Sequence, residues 1–361
     1  MQVYKGEIKK FIIFLISFSL LVFSQEKKES LYYKKLNNDL VQCLLCPKTC
    51  IISPSKYGFC RARKNIKGKL YSMGYSNPCA VHIDPIEKKP FFHVLPGTKT
   101  FSIASAGCSL KCKFCQNWEI SQYSPEETKN IYLPPEKVVE LAVKYKCPSI
   151  AYTYSEPVNF YEYMLDTAKI AKKKGIKNIV HTAGFINPKP LEELCQYLHA
   201  VNVDLKSFNS NFYRNICEGE LDVVLNTLKI LKKNKIWIEI TNLIIPNYND
   251  NPEEIKKMCI WIKENLGDGI PIHFSRFYPM YLMIHVPSTP VETLEMAVKI
   301  AKSTGLKYVY VGNVPGSEYE NTYCPKCGKL LIKRIGFSVI ENNIINGKCK
   351  FCQEKIDGIW E

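Results

Sequence analysis

A partial or full (β/α) barrel, flanked by two cysteine-rich modules, is the α/β fold class that this sequence predicts. Three observations predict it. Between residues 99 and 312, short apolar runs alternate with stretches of helical period, about six or seven times. Gly, Pro and capping residues punctuate the alternation. Cysteines gather on three short segments, one inside this region and one on either side. Strand–helix alternation implies a parallel sheet covered by helices, and a run of this length suits a barrel better than a doubly wound sheet. The expected organisation is a signal-like or anchor segment over 1–28, a Cys-rich module over 29–98, the barrel over 99–312, and a zinc-ribbon-like module over 313–361.

The elements follow in order. Residues 101–106 form an apolar run that ends at Gly107, a strand. Pro134-Pro135 opens a helix whose Val138, Val139, Leu141 and Ala142 keep helical spacing. Residues 149–153 read as the next strand. Residues 160–174 read as a helix, with lysines in its last turn and Gly175 just beyond. Then come a strand over 177–181, a helix over 190–198, a strand over 200–205, a helix over 221–233 and a β-rich run over 236–245. Asn251 caps a helix that has Pro252 at its first position. Residues 271–275 read as a strand. Thr289-Pro-Val-Glu292 reads as a capping box before Leu294, Ala297, Val298 and Ala301. Gly305 closes that helix, and 308–311 is the last strand.

Composition narrows the function classes. Of 361 residues, 46% are apolar and 23% charged, which excludes a disordered, collagen-like or multi-span membrane chain. Lys and Arg number 49 against 34 Asp and Glu, a net charge of +15. The lysines are spread along the chain, as on a solvated basic surface; an acidic partner, RNA or an anionic membrane would also suit this balance. At the N-terminus Lys5, Lys9 and Lys10 precede an apolar run over 11–23, the layout of a signal peptide and too short for a comfortable membrane span. Three thiol clusters argue for a reducing compartment, so the working domain is expected to be cytoplasmic.

Those clusters carry the chemistry. Cys108-Ser-Leu-Lys-Cys112-Lys-Phe-Cys115 follows the first barrel strand, which places it at the C-terminal mouth where barrel active sites lie. Three thiolates on one loop can hold three irons of a 4Fe–4S cluster and leave the fourth open. An open iron can chelate S-adenosylmethionine (SAM), whose sulfonium bond a single electron breaks to give a 5′-deoxyadenosyl radical. A zinc site is the alternative. Cys324-Pro-Lys-Cys327 and Cys349-Lys-Phe-Cys352 form two C-x-x-C pairs, read as a structural zinc site. Cys43, Cys46, Cys50 and Cys60 form a third set, for which zinc and a second iron–sulfur cluster fit equally. Cys79, Cys147, Cys195, Cys217 and Cys259 stand alone and are expected as small buried side chains.

At the central loop the sequence resembles the radical SAM superfamily. More narrowly, Asp84-Pro-Ile-Glu87-Lys88-Lys89-Pro90, His93, Pro96-Gly97, Cys115-Gln116-Asn117, Thr153-Tyr-Ser-Glu156-Pro157, Asp204-Leu-Lys206, His273 and Tyr308-Val-Tyr-Val-Gly312-Asn313 resemble the AmmeMemoRadiSam group, as do both flanking modules. That group is similar to activases of glycyl-radical enzymes such as pyruvate formate-lyase. The resemblance implies that Glu156 receives the SAM ammonium, Lys206 the SAM carboxylate, Thr182 and Asp204 SAM or a monovalent cation, and His273 the ribose. It implies a flavodoxin or ferredoxin as reductant, and a protein substrate or Memo-like and AMMECR-like proteins as partners. Two departures bear on the substrate: Ala183 stands where relatives carry Asn, and Tyr278 and Met280 where they carry His and Asp. RNA modification and a non-catalytic iron–sulfur protein are the other classes. No aromatic stacking motif supports RNA binding.

Overall fold

The computed structural model describes residues 27–361. The apolar segment over 11–23, and with it the signal-or-anchor expectation, lies outside the described residues. No helix among the described residues is long and apolar enough to cross a membrane.

One eight-stranded sheet organises the chain. Its strands are β1 (Ala80–Pro85), β2 (Lys99–Ala104), β3 (Ser149–Tyr152), β4 (Lys177–Thr182), β5 (Ala200–Asp204), β6 (Trp237–Ile244), β7 (Ile272–Arg276) and β8 (Val309–Gly312). Each pairs with its neighbours in sequence; β2 to β8 run parallel, and β1 joins β2 antiparallel. The edge strands β1 and β8 do not pair with each other, so the barrel is partial. Strand β1 belongs to this sheet although the sequence reading assigned 29–98 to a separate module. The cysteine module proper comprises two small antiparallel sheets before Ala80.

Six helices cover the outer face: α1 (Pro135–Lys144), α2 (Tyr161–Lys173), α3 (Pro188–Cys195), α4 (Leu221–Lys233), α5 (Pro252–Leu266) and α6 (Val291–Ser303). In α1 the buried positions are Pro135, Val138, Val139 and Ala142, one face at helical spacing. Asn251 caps α5 as expected, its side chain accepting from the Glu253 and Glu254 amides at 2.9 and 3.2 Å. The capping box at Thr289 does not form, and α6 has no side-chain cap. The Thr289 hydroxyl instead donates to the Ile244 carbonyl (2.6 Å) and accepts from the Phe277 amide (2.9 Å). A tertiary stitch between β6 and the loop after β7 has displaced the local cap.

Strand alternation sorts the sheet's two faces. Val180, Thr182 and Val201 meet Leu191, Leu194, Thr227 and Leu231 of the helical layer. Their neighbours His181, Asn202 and Asp204, in register with Glu239 and Thr241, face inward. The lower half of that inner face is filled by the segment after β1. Phe91, Val94 and Leu95 pack against Ala151, Ile179 and Ala200. Asn202 donates to the Pro90 carbonyl (2.7 Å), and Glu239 accepts the amides of Phe92 (3.0 Å) and His93 (2.9 Å). The C-terminal ends of the strands lie beyond this plug.

Candidate active site

The loop after β2 is held from three sides. The Cys108 amide donates to the Cys60 carbonyl (3.1 Å) and the Gly107 amide to the Ile120 carbonyl (2.9 Å). Gly107 has φ +103°, and a Cβ there would lie 2.5 Å from the Cys60 oxygen, so this crossing admits only glycine. On the other side the amides of Lys111 and Lys113 donate to the carbonyls of Cys217 (2.8 Å) and Ile216 (3.0 Å). Both carbonyls belong to a π-helical turn over Tyr213–Cys217, a geometry that leaves carbonyls available to partners outside the helix.

The three thiols share an environment. Burial pushes Cys108 well up, with Glu156, Cys112 and Cys115 adding to it. Cys115 lies 3.2 Å from the Ser121 hydroxyl. Cys112 is pulled down by a hydrogen bond from the Cys217 thiol and, against its burial, by the Lys206 ammonium. Among the described residues, the one group of metal-ligand side chains whose donor atoms all lie within 4.8 Å of one another is at the C-terminus, so the loop thiols are spread more widely than a single ion requires. Thiols that influence one another yet stand apart fit a cluster of several irons better than one zinc.

A charged row lies beside them. Asp204 ends β5 and accepts from Lys206 Nζ (2.9 Å) and pairs with His181 Nε2 (2.8 Å). Burial opposes ionisation of Asp204, but Lys206 and His181 outweigh it and hold its carboxyl below the usual range. Lys206 also lies over the Phe114 ring of the cysteine loop, 5.7 Å from its centroid. On the loop after β3, Glu156 is buried and accepts from the Thr182 hydroxyl (2.6 Å) and the amides of Ala183 (2.8 Å) and Val158 (3.1 Å). The Asn117 side chain donates to the Tyr154 carbonyl (2.8 Å), tying this loop to the cysteines.

A sequence model of the radical SAM superfamily matches residues 102–261. An uncharacterized protein of Methanocaldococcus jannaschii is 48% identical over 332 residues, 91% of this chain and 99% of that one. The chain belongs to the radical SAM superfamily. A pyruvate formate-lyase-activating enzyme of Clostridium pasteurianum is 23% identical over 46% of this chain and 71% of its own. One from Listeria monocytogenes is 20% identical over 59% and 92%. A solved radical SAM methyltransferase from Sphaerobacter thermophilus aligns at a TM-score of 0.49, with 15% identity over 65% of this chain and 71% of that one.

In this radical SAM protein the predicted residues fall into three groups. Cys108, Cys112, Cys115, Asp204 and Lys206 gather at the mouth. Glu156 and Thr182 bond each other, but Thr182 points to the helical layer; the inward residue of that strand end is His181, which sequence reasoning missed and strand alternation would have found. His273 is elsewhere. It is the second residue of β7, not the last. Its ring bonds Glu239 (2.7 Å) and packs between Phe92 and Tyr310. The strand's C-terminal end is Arg276, and His273 lies buried three residues before it. Lys89 was also missed: buried, it pairs with Asp84 (2.6 Å) and lies over the Tyr154 ring at 3.9 Å, and burial brings it down to about 8. Of the departures, Tyr278 donates to the Asn313 carbonyl (3.1 Å) and is 41% exposed at the mouth.

All sixteen cysteines are free. Cys324, Cys327, Cys349 and Cys352 have sulfurs 3.6 Å apart (324–352) and 3.8 Å apart (327–349). Tetrahedral ligation with metal–sulfur bonds of ~2.3 Å places sulfurs about 3.8 Å apart, so this set fits one tetrahedral ion. Cys43, Cys46, Cys50 and Cys60 line one cavity beneath the cysteine loop.

Proposed function

We propose that this radical SAM protein reductively cleaves SAM at a 4Fe–4S cluster held by Cys108, Cys112 and Cys115 and abstracts hydrogen from a substrate. The observation that carries the reading is the three-thiol loop at the mouth of the parallel sheet, beside the His181–Asp204–Lys206 row. When bound, the cluster supplies the single electron that splits the sulfonium.

The chain's own residues do the positioning. Lys206 stays charged beside Cys112 and is the cation within reach of a SAM carboxylate. Asp204 fixes its ammonium and is fixed in turn by His181. Glu156 is saturated by three donors, so it orders the rim between β3 and β4, and a SAM ammonium would share its oxygens with them. Tyr278 stands at the mouth with Met280 in its loop, where a less polar substrate would meet the radical.

The test is anaerobic reconstitution with iron and sulfide, followed by SAM and dithionite. Methionine and 5′-deoxyadenosine are expected from the wild-type chain. A Cys112→Ala variant should form neither, and one that still cleaves SAM removes the reading. A second reading, a glycyl-radical activase, rests on the likeness to two pyruvate formate-lyase-activating enzymes. It predicts a glycyl radical, seen by electron paramagnetic resonance (EPR), on a partner enzyme after co-incubation. If the AmmeMemoRadiSam resemblance holds, Memo-like and AMMECR-like proteins are the partners to test first. Zinc is the ion we assign to Cys324, Cys327, Cys349 and Cys352.

A further inference from the structure

The N-terminal cavity is lined by Cys43, Cys46, Cys50 and Cys60 together with Arg63, Ser109 and Asn159. Three of the thiols are buried and Cys50 is partly so. The set is absent from those whose donor atoms lie within 4.8 Å of one another among the described residues. A single tetrahedral ion, needing sulfurs about 3.8 Å apart, would have to draw these walls inward.

The polar residues of the lining supply a second, independent observation. Arg63 is 1% exposed. Its Nη2 bonds both oxygens of Glu162 at 2.7 Å, yet its Nε and Nη1 make no hydrogen bond among the described residues. Asn159 Nδ2 and Ser109 Oγ, both buried, are also without a partner. Buried donors left without a partner are costly, so several around one cavity point to an acceptor that belongs there. Four thiolates around iron and sulfide make an anionic body whose sulfurs accept N–H and O–H hydrogen bonds.

We propose that Cys43, Cys46, Cys50 and Cys60 ligate a second iron–sulfur cluster, a 4Fe–4S cube, with Arg63, Asn159 and Ser109 donating hydrogen bonds to its sulfurs. It adjoins the first cysteine loop directly: the Cys60 carbonyl takes the Cys108 amide, and Ser109 follows Cys108 in sequence. The proposal stands on this cavity alone and does not need SAM cleavage.

The test uses the full chain with Cys108→Ala, Cys112→Ala and Cys115→Ala combined, reconstituted anaerobically with ferrous iron and sulfide. About four sulfides per chain should remain, with the EPR signal of a reduced cluster. Acid-labile sulfide is the deciding readout, because the C-terminal thiols can take up a lone iron but no sulfide. Further Cys46→Ala and Cys50→Ala substitution should abolish it. If the triple variant misfolds, the comparison is wild type against Cys46→Ala/Cys50→Ala, expected at about eight and about four sulfides. In the folded triple variant, Asn159→Leu should keep the sulfide and shift the cluster's midpoint potential downward. Zinc without sulfide at this site, or no sulfide beyond the first cluster's share, overturns the proposal.

Discussion

Asp204 shows how one residue ties stability to the site. Its carboxyl is held low because Lys206 and His181 together outweigh burial. As pH falls, the unfolded chain takes up the proton first, so the stabilisation is complete above about pH 5 and is lost as pH drops toward the folded value. Wild type should therefore lose more stability between pH 5 and pH 3 than Asp204→Asn, measured by denaturant midpoints; equal losses would remove the pair's role. His273 gives the converse case. Replacing it with Phe deletes its bond to Glu239 and should cost about 1.5–3 kcal/mol, with the KM for SAM unchanged. A several-fold rise in KM would restore the ribose contact. The sequence made Cys108, Cys112 and Cys115 legible because their spacing is local. It did not show how far His273 lies from the mouth, because the strand runs on to Arg276, three residues further. Cys217, read as a lone buried thiol, meets Cys112 from about a hundred positions away, a contact no spacing encodes.

At the scale of elements, apolar runs located every parallel strand, since strands buried on both faces read as continuous hydrophobic stretches. Strand β1 was not legible: Ala80–Pro85 carries His82 and Asp84 and lies on an edge, where polar residues are tolerated. The π-helical turn over Tyr213–Cys217 was hidden too, because its purpose is to hand carbonyls to a distant loop. The crossing at Gly107 joins the N-terminal module to that loop, so it is where both cysteine sets are most sensitive. Gly107→Ala imposes a positive φ worth about 1–3 kcal/mol, and its methyl meets the Cys60 oxygen and the Ala62 Cβ. The expected outcome is a lower thermal midpoint with reduced iron uptake. Full iron content in this variant would mean that the two segments move apart freely.

Across the whole molecule, modules that look separable in sequence share one core. The C-terminal cluster of buried side chains contains Leu331, Ile332 and Ile356 of the module, Tyr308 and Tyr310 of the barrel end, and Phe92 of the interior plug. Two of its remaining members, Cys324 and Cys349, are metal-ligand candidates. Arg334 crosses the boundary to the Phe92 carbonyl (2.8 Å), and His93 bonds the Asp357 carbonyl and the Tyr310 hydroxyl at 2.6 Å each. A metal that folds the module therefore also braces β8 and the segment that fills the sheet's inner face. Stripping it with a strong chelator, or substituting Cys349→Ser, should lower the thermal midpoint of the entire chain while leaving acid-labile sulfide unchanged. Hydrogen exchange gives the sharper measurement. Protection should fall at Val309–Gly312 and at Phe92 to Leu95, not merely between Thr322 and Cys352; loss confined to the module would show that the barrel stands without it.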